Sequence, residues 1–135
     1  CAREAVRRMS VRRGGGGGAI VNISSVAARL GSPGEYVDYA ATKGAVISMM
    51  RSIAVEFARD GVRANSILPG WIATDMTAGV KAKYDALIAD GLVPQRRWGT
   101  AEDVGRAVRA VLAGQFPFTT GDVIHLDGGF HLRRL

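Results

Sequence analysis

The chain has 135 residues, of which 47% are hydrophobic and 22% are charged, and its formal net charge is +6. This length supports one domain with a real core but not two, and the composition excludes a disordered, collagen-like or repeat protein. The apolar runs are too short for a membrane span, and the arginine-rich start lacks the apolar segment of a signal peptide. The single cysteine, Cys1, excludes an internal disulfide and favours a reducing compartment, so we expect a cytoplasmic protein without a membrane partner.

The excess of positive charge raises the question of nucleic-acid binding. Many of the arginines fall within the first 13 residues or at positions 133 and 134, and no aromatic residues interleave with them. Stacking on bases is therefore not indicated. A solvated face or a subunit contact is the better interpretation, and we expect no nucleic-acid partner.

The first half of the chain alternates between helix and strand. Apolar spacing predicts that Ala2–Arg13 is the end of an amphipathic helix, and the glycines of Gly14–Gly18 form a flexible connector. The β-branched run Ala19–Ile23 predicts a buried parallel strand, and residues 24–37 form a loop rich in Pro and Gly.

The rest of the chain, from about Asp38 onwards, continues this alternation. Apolar periodicity predicts a long helix from about Asp38 to Asp60, which Gly61 ends. Thr100 and Asp103 mark the capped start of a later helix. The remaining predicted elements are a strand at Val62–Gly70, a helix between Ala78 and Asp90, and a strand at Asp122–Leu126.

This order indicates an α/β fold with a parallel sheet, because long helices separate successive strands. Three strands make a thin sheet, and its inner edge would expose apolar backbone. We therefore expect the chain to be part of a larger fold.

Tyr39 and Lys43 stand four residues apart near the start of the long predicted helix, among small residues. This spacing places both side chains on one helical face. A nearby ammonium stabilises a phenolate, which turns a tyrosine into a general acid or base that can act on a carbonyl or an alcohol. An ordinary surface pair with a small effect on stability is the alternative, so the pair alone only suggests catalysis.

Two further features follow predicted strands, at the carboxyl ends where open α/β sheets bind ligands. The motif "NISS", Asn22–Ser25, offers a hydroxyl that can hydrogen bond a substrate oxygen, although loop serines more often cap backbone groups. The motif "LPGWIATDM", Leu68–Met76, has a turn fixed by Pro69 and Gly70, and Thr74 and backbone groups there can contact a ligand.

Together, "NISS", "YAATKGA", "VRANSILPGWIATDM" and "TTGDVIHLDGGF" resemble the motifs of the classical short-chain dehydrogenase/reductase family, especially its 3-oxoacyl-ACP reductase-like and glucose 1-dehydrogenase-like members. The resemblance extends from about Ala2 to Phe130. It implies a Rossmann-type, doubly wound parallel sheet, of which this chain would supply the C-terminal half, with three strands alternating with helices. It also implies an NAD(P)-dependent oxidoreductase that interconverts a ketone and a secondary alcohol, acts on a small-molecule substrate, and forms a dimer or tetramer.

The resemblance also implies roles for individual residues. Tyr39 would be the general acid/base, Lys43 would promote its ionisation and hydrogen bond the nicotinamide ribose, and Ser25 would position the substrate oxygen. We prefer Ser25 to Ser24 because the family usually uses the second serine. Four residues would line the nicotinamide and its phosphate: Pro69, Gly70, Ile72 and Thr74.

The substrate itself is not readable from the sequence. The segment from Thr74 to about Gly99 resembles the variable substrate lid of the family. His125 is expected to be structural and His131 to be exposed. An apolar pocket wall and ordinary packing are equally good interpretations of five residues: Trp71, Met76, Tyr84, Leu87 and Trp98.

Several family features are absent from the sequence, namely the Thr-Gly-x-x-x-Gly-x-Gly loop, the Asn-Asn-Ala-Gly strand and the asparagine of the catalytic site. Gly14–Gly18 does not replace the loop, because a dinucleotide loop follows a strand and precedes a helix, and here the order is reversed. We therefore expect the adenosine and pyrophosphate site to be largely missing and the choice between NAD and NADP to be unreadable.

No metal site is predicted. The alternative to an enzyme is a truncated, non-catalytic fragment or pseudoenzyme that acts only through subunit association.

Overall fold

The protein is described by a computed structural model that covers residues 1–30 and 36–132. Three strands, β1 (Gly18–Ile23), β2 (Val62–Pro69) and β3 (Val123–Leu126), form one sheet in the order β1-β2-β3. Both pairings are parallel, with Asn22 opposite Ser66 and Ser66 opposite Val123. The predicted parallel α/β fold is confirmed, whereas part of the predicted loop at residues 24–37 lies outside the described residues.

The helices agree with the predicted order but differ in their bounds. The predicted helix Ala2–Arg13 stops at Met9 and continues as a 3₁₀ turn at Val11–Arg13. The helix expected between Ala78 and Asp90 is confirmed as Lys81–Ala89, and a separate short helix, Asp75–Ala78, precedes it. The helices are α1 (Ala2–Met9), α2 (Val37–Phe57), α3 (Asp75–Ala78), α4 (Lys81–Ala89) and α5 (Ala101–Leu112), with further 3₁₀ turns at Val26–Ala28 and Ala58–Asp60.

The main core lies between the sheet and the helices α1 and α2. Its buried members come from these three elements: Val6, Met50, Ile53, Ala54, Val62 and Ala64. Val62 and Ala64 are alternate residues of β2, so they face the same side of the sheet. Helix α5 also packs on β1 and β2. A parallel sheet flanked by helices is the arrangement expected for part of a doubly wound fold.

The end of α2 is fixed by local backbone geometry and by one ion pair. Gly61 adopts a φ of 75°, the left-handed region that glycine enters without steric cost. The buried carboxylate of Asp60, two residues before β2, pairs with Arg12 of the turn after α1. The guanidinium of Arg12 lowers the pKa of Asp60, so the pair joins both helix ends near the start of β2.

Helix α5 begins with the predicted capping box. The Thr100 hydroxyl accepts from the backbone N–H of Asp103 at 3.1 Å, and the Asp103 carboxylate accepts from the N–H of Thr100 at 2.9 Å. Arg97 also donates to Asp103, at 2.7 Å. Two otherwise unpaired helix N–H groups are thereby satisfied, which explains why the helix starts here.

Among the helices of residues 1–30 and 36–132, none combines the length and apolar character that crossing a membrane requires. The same residues contain no cluster of His, Cys, Asp and Glu side chains placed to hold a metal ion.

Candidate functional site at the carboxyl edge of the sheet

The carboxyl ends of the strands and the start of α2 meet at one edge of the sheet. Ser24 and Ser25 follow β1, Gly70 follows β2, and Asp127 follows β3. Helix α2, which lies between β1 and β2 in the chain, carries Tyr39 and Lys43 in its first turns. The topology thus brings together residues that are distant in sequence, because parallel strands end at the same edge.

The two serines have different environments. Ser24 is 3% exposed, and its hydroxyl donates to the carbonyl oxygen of Lys43 at 2.8 Å. Ser25 is half-buried, and its hydroxyl accepts from the N–H of Ala27 at 3.2 Å. A hydroxyl carries a single proton to donate. Ser24 donates its proton to the carbonyl oxygen of Lys43 in α2. Ser25 uses its oxygen as an acceptor, so its own proton can be donated to another group.

Tyr39 and Lys43 lie on the same face of α2, as predicted. The Lys43 Nζ is 5.6 Å from the centroid of the Tyr39 ring, and it donates to the carbonyl oxygen of Ile23 at 3.1 Å. Tyr39 is 41% exposed, so the phenol is open to the edge of the sheet. Outside the neighbouring backbone of α2, no atom of the described residues lies within 4 Å of the position that a Cβ on Gly44 would take, so there is open space next to Lys43.

The predicted cofactor-lining residues occupy the turn after β2. The N–H of Gly70 donates to the carbonyl oxygen of Leu126 at 3.1 Å, which joins this turn to the end of β3. Ile72 forms an isolated bridge with Gly99, and its carbonyl oxygen accepts from the Thr77 hydroxyl at 2.8 Å. Thr74 precedes α3, and its N–H donates to the Thr77 hydroxyl at 3.0 Å. These bonds hold the segment from Pro69 to Thr74 in a defined path beside the sheet edge.

The segment after this turn is held down by aromatic packing. Trp71 packs on Tyr84 with ring centroids 3.8 Å apart and meets the edges of two other rings, those of Trp98 and Phe130, at 5.9 and 6.2 Å. The indole N–H of Trp98 donates to Asp85 at 2.7 Å. Trp71, Tyr84 and Trp98 therefore have a packing role that joins α4 to the strand ends.

One polar cluster was missed from the sequence, and one expectation was wrong. His131 was expected to be exposed, but its side chain is 30% exposed, and its Nδ1 lies 2.7 Å from the Asp127 carboxylate. Its ring stacks on that of His125 at 3.9 Å. The Asp-Gly-Gly turn folds the chain back, and this brings the two histidines together. The turn residues were visible in the sequence, but the direction in which they send the chain was not.

The histidine cluster borders a cavity of about 470 Å³ next to the turn after β2. Burial, and then the neighbouring His131, lower the pKa of His125. The wall of this cavity carries aromatic and charged side chains, among them Trp71, Arg97, Asp103, Arg106, His125, Asp127 and His131.

The partial, doubly wound parallel sheet with its polar carboxyl edge defines a Rossmann-type fold. Residues 1–131 match the family model described as enoyl-(acyl carrier protein) reductase. The chain is 47% identical over 131 residues to the uncharacterized oxidoreductase YgfF of Escherichia coli (strain K12), covering 96% of this chain and 52% of that protein. It is 36% identical over 127 residues to the 3-oxoacyl-[acyl-carrier-protein] reductase FabG of Rickettsia felis, covering 94% and 51%.

Solved structures give the same result. A 3-oxoacyl-[acyl-carrier protein] reductase from Brucella melitensis in complex with NAD is 44% identical with a TM-score of 0.83, covering 87% of this chain and 46% of that one. A short-chain type dehydrogenase/reductase from Mycobacterium ulcerans is 40% identical with a TM-score of 0.88, covering 98% and 47%. The chain therefore belongs to the short-chain dehydrogenase/reductase family. It spans about half the length of the curated relatives it matches.

Proposed function

We propose that this chain carries the proton-transfer site of an NAD(P)-dependent oxidoreductase that interconverts a ketone and a secondary alcohol. The observation that supports the proposal is the bond from Lys43 to Ile23 O, which brings the first turns of α2, with Tyr39, to the end of β1 that Ser25 follows. The hydroxyl of Ser24, the other serine of the pair, already donates its proton to the carbonyl oxygen of Lys43 in α2. Considering only the part of the chain that the structure describes, each of the three proposed residues keeps a polar group available to a ligand.

In the proposed mechanism, Ser25 donates its hydroxyl proton to the substrate oxygen and fixes its position. Tyr39 gives a proton to that oxygen when a ketone is reduced and removes it when an alcohol is oxidised. Lys43 stabilises the phenolate form of Tyr39 through its positive charge. A nicotinamide cofactor, when bound, supplies or accepts the hydride.

The donors at this edge suit the ribose end of such a cofactor. Within residues 1–30 and 36–132, the Lys43 ammonium has one hydrogen-bond acceptor, Ile23 O, so two of its three donors remain for ribose hydroxyls. The open space beside Gly44 allows a sugar to approach the helix. Pro69, Gly70, Ile72 and Thr74 would line the nicotinamide and its phosphate. Solved relatives named as complexes with NAD, NADH or NADP support a nicotinamide cofactor without selecting one.

The names of the relatives suggest which substrates to test first. Several are 3-oxoacyl-[acyl-carrier-protein] reductases, and one is an acetoacetyl-CoA reductase. Both names describe a ketone two carbons from an acyl thioester. We therefore propose a small ketone of this class, with the corresponding 3-hydroxyacyl thioester as the alcohol.

We further propose that the adenosine and pyrophosphate end of the cofactor is held by polypeptide outside these 135 residues. The protein would be cytoplasmic and would associate as a dimer or tetramer. Light scattering coupled to size-exclusion chromatography measures the assembly directly, and a monomer at micromolar concentration would exclude that part of the proposal.

The test of the site is Tyr39→Phe in the native protein that contains this chain, assayed by NAD(P)H absorbance with acetoacetyl-CoA. We expect turnover to fall by roughly a hundredfold or more, because the proton donor is lost, while calorimetry shows cofactor affinity within a few-fold of the wild type. Tyr36→Phe is the matched control, since Tyr36 has no lysine four residues later, and it should retain turnover. Unchanged turnover in Tyr39→Phe would reject the role of Tyr39. A wild-type protein that binds cofactor but has no turnover with any ketone would favour the non-catalytic alternative.

A further inference from the structure

Asp127, which directly follows β3, is locked against the turn that follows β2. The N–H of Gly70 donates to Leu126 O at 3.1 Å. A Cβ placed on Gly70 would lie 2.6 Å from the Cβ of Asp127 and 2.9 Å from its Cα. This is closer than two non-bonded carbon atoms can approach, so only glycine fits here, and the backbone of Gly70 packs directly against Asp127.

The carboxylate of Asp127 is in turn held by the chain that follows it. Its side chain is 2% exposed. One oxygen accepts from the N–H of Gly129 at 3.0 Å, and the other accepts from the N–H of His131 at 3.1 Å. The ring Nδ1 of His131 lies 2.7 Å from this second oxygen. His131 thus contributes both its backbone and its ring to the position of Asp127.

The ring of His131 is also stacked on His125 of β3. The two ring centroids are 3.9 Å apart and the planes differ by 18°. Two imidazoles at this distance cannot both carry a proton without strong repulsion, because charges a few ångström apart in a partly buried site are poorly screened. Burial of His125 and its neighbour His131 both oppose a proton on His125.

The other charged groups around the stack do not remove this constraint. Asp127 and Asp122 favour a charge on His125, whereas His131 and Arg29 oppose it. Across the cavity, Arg97 pairs with Asp103 and Arg106 pairs with Glu102, so these groups are already compensated. The net result is that burial and His131 dominate, and they lower the pKa of His125.

We propose that His131 and Asp127 are positioning residues for the Pro69–Gly70 turn and that protonation of His125 releases this support. At neutral pH the stack holds His131 on Asp127, and Asp127 holds the turn. When the pH falls, a proton on His125 puts a charge on a partly buried ring that is stacked on His131, the stack opens, and the turn loses its support. The connection from the stacked rings of His125 and His131 to the Pro69–Gly70 turn is inferred from contacts only. Its effect on cofactor binding rests on the proposed function.

The structural part is tested by NMR on the native protein, with the ring of His125 and the amides of Gly70 and Gly129 followed from about pH 8 to about pH 5. We expect all three to move in one transition below about pH 6.5, the ordinary histidine value. The amide of Gly105, on the open side of α5, should not move and serves as the internal reference. If Gly70 stays fixed while His125 titrates, the proposal is wrong.

Two variants separate titration from packing. His125→Phe keeps a flat ring against His131 but carries no titratable group, so the Gly70 transition should disappear. His131→Gln can still donate to Asp127 but cannot be protonated, and it should remove the same transition. A Gly70 transition that persists in either folded variant contradicts the proposal. The second variant maintains the test if the first does not fold.

The functional part uses fluorescence titration with NADH and NADPH at about pH 7.5 and about pH 5.5. We expect the wild-type affinity to weaken roughly fivefold or more at the lower pH, and the affinity of His125→Phe to stay level. If Gly70 shifts but no nucleotide binds at either pH, the proposed function fails and the support of the turn stands. If nucleotide binds equally at both pH values and Gly70 does not shift, this inference fails and the proposed function stands.

Discussion

The hydroxyl of Ser24 donates a hydrogen bond to the carbonyl oxygen of Lys43 at 2.8 Å, and this bond ties the end of β1 to the first turns of α2. The next residue, Ser25, directs its hydroxyl oxygen at the N–H of Ala27 instead. Two adjacent serines therefore have separable roles. Ser24 fixes the helix that carries Tyr39 and Lys43, and we propose that Ser25 contacts a ligand.

Substitution of each serine by alanine should have opposite consequences. Ser24→Ala should lower the free energy of unfolding by about 1 kcal/mol, because a buried hydrogen bond is lost. Ser25→Ala should change stability little but lower turnover by roughly a hundredfold or more, as for a lost donor to the reacting oxygen. Urea denaturation and NAD(P)H absorbance measure the two quantities. The reverse pattern, with turnover lost in Ser24→Ala alone, would exchange the roles.

Asn65 and Ser66, neighbours in the central strand, predict a second contrast. Both are 0% exposed. The Asn65 side chain donates to Thr119 O at 3.1 Å and accepts from the N–H of Asp122 at 3.1 Å, whereas the Ser66 hydroxyl has no hydrogen-bond partner in the described part of the chain.

Asn65→Ala should therefore destabilise the protein by about 2–4 kcal/mol, because two hydrogen bonds of a fully buried side chain to backbone groups are lost. Ser66→Ala removes a buried hydroxyl that makes no hydrogen bond within the described residues. The substitution should therefore leave the free energy of unfolding unchanged or raise it by up to about 1 kcal/mol. Denaturant midpoints at constant m-value provide the comparison. A large loss in Ser66→Ala would show that its hydroxyl has a partner, such as a buried water.

Two glycines give a third prediction, on steric grounds. A Cβ at Gly70 would overlap Asp127, whereas a Cβ at Gly105, within α5, would meet no atom within 4 Å. Gly70→Ala should destabilise by about 1–3 kcal/mol through overpacking, and Gly105→Ala should stabilise by about 1 kcal/mol through helix propensity. Thermal unfolding of both variants checks the pair. Equal effects would mean that the turn can move away from Asp127.

The capping box of α5 predicts a dependence on both sequence and pH. Thr100→Ala should cost about 1 kcal/mol, the usual value for a lost N-cap. Hydrogen bonds from Arg97 and from the Thr100 backbone lower the pKa of Asp103 to about 2. A lowered carboxyl pKa means that the unfolded chain binds the proton more tightly. The contribution of Asp103 to stability is therefore present above about pH 4 and is lost as the pH falls towards about 2.

Melting curves between about pH 5 and about pH 2, for the wild type and Asp103→Asn, measure this contribution. The variant should lose less stability over the range than the wild type. Parallel curves would show that Asp103 does not titrate differently in the folded and unfolded states.

The features that were predicted correctly depend on local rules. The start of α5 followed from Thr100 and Asp103, whose capping bonds span three residues. The end of α2 followed from Gly61, whose φ of 75° is a property of that residue itself. The parallel sheet followed from the alternation of strands and long helices. In each case the information lies within a few residues of the feature that it determines.

The features that were missed depend on contacts made after folding. The bond from Ser24 to Lys43 spans 19 residues, and that from Asn65 to Thr119 spans 54. His131 was placed wrongly because its burial depends on the path of the chain after Gly128 and Gly129. The helix Lys81–Ala89 fell within the range expected between Ala78 and Asp90, whereas the four-residue helix Asp75–Ala78 was not expected. The roles of Ser25, Tyr39 and Lys43 remain predictions.

The strand order also has a consequence for the way the protein is made. Because the sheet runs β1-β2-β3, each new strand pairs with the strand that the ribosome has just released, and no earlier strand has to be displaced. Chains fold from the N-terminus during synthesis, so β1, α2 and β2 can assemble before the residues of β3 have been added. The last strand then completes a surface that already exists. The bonds that Asn65 makes to Thr119 and Asp122 would be among the latest to form.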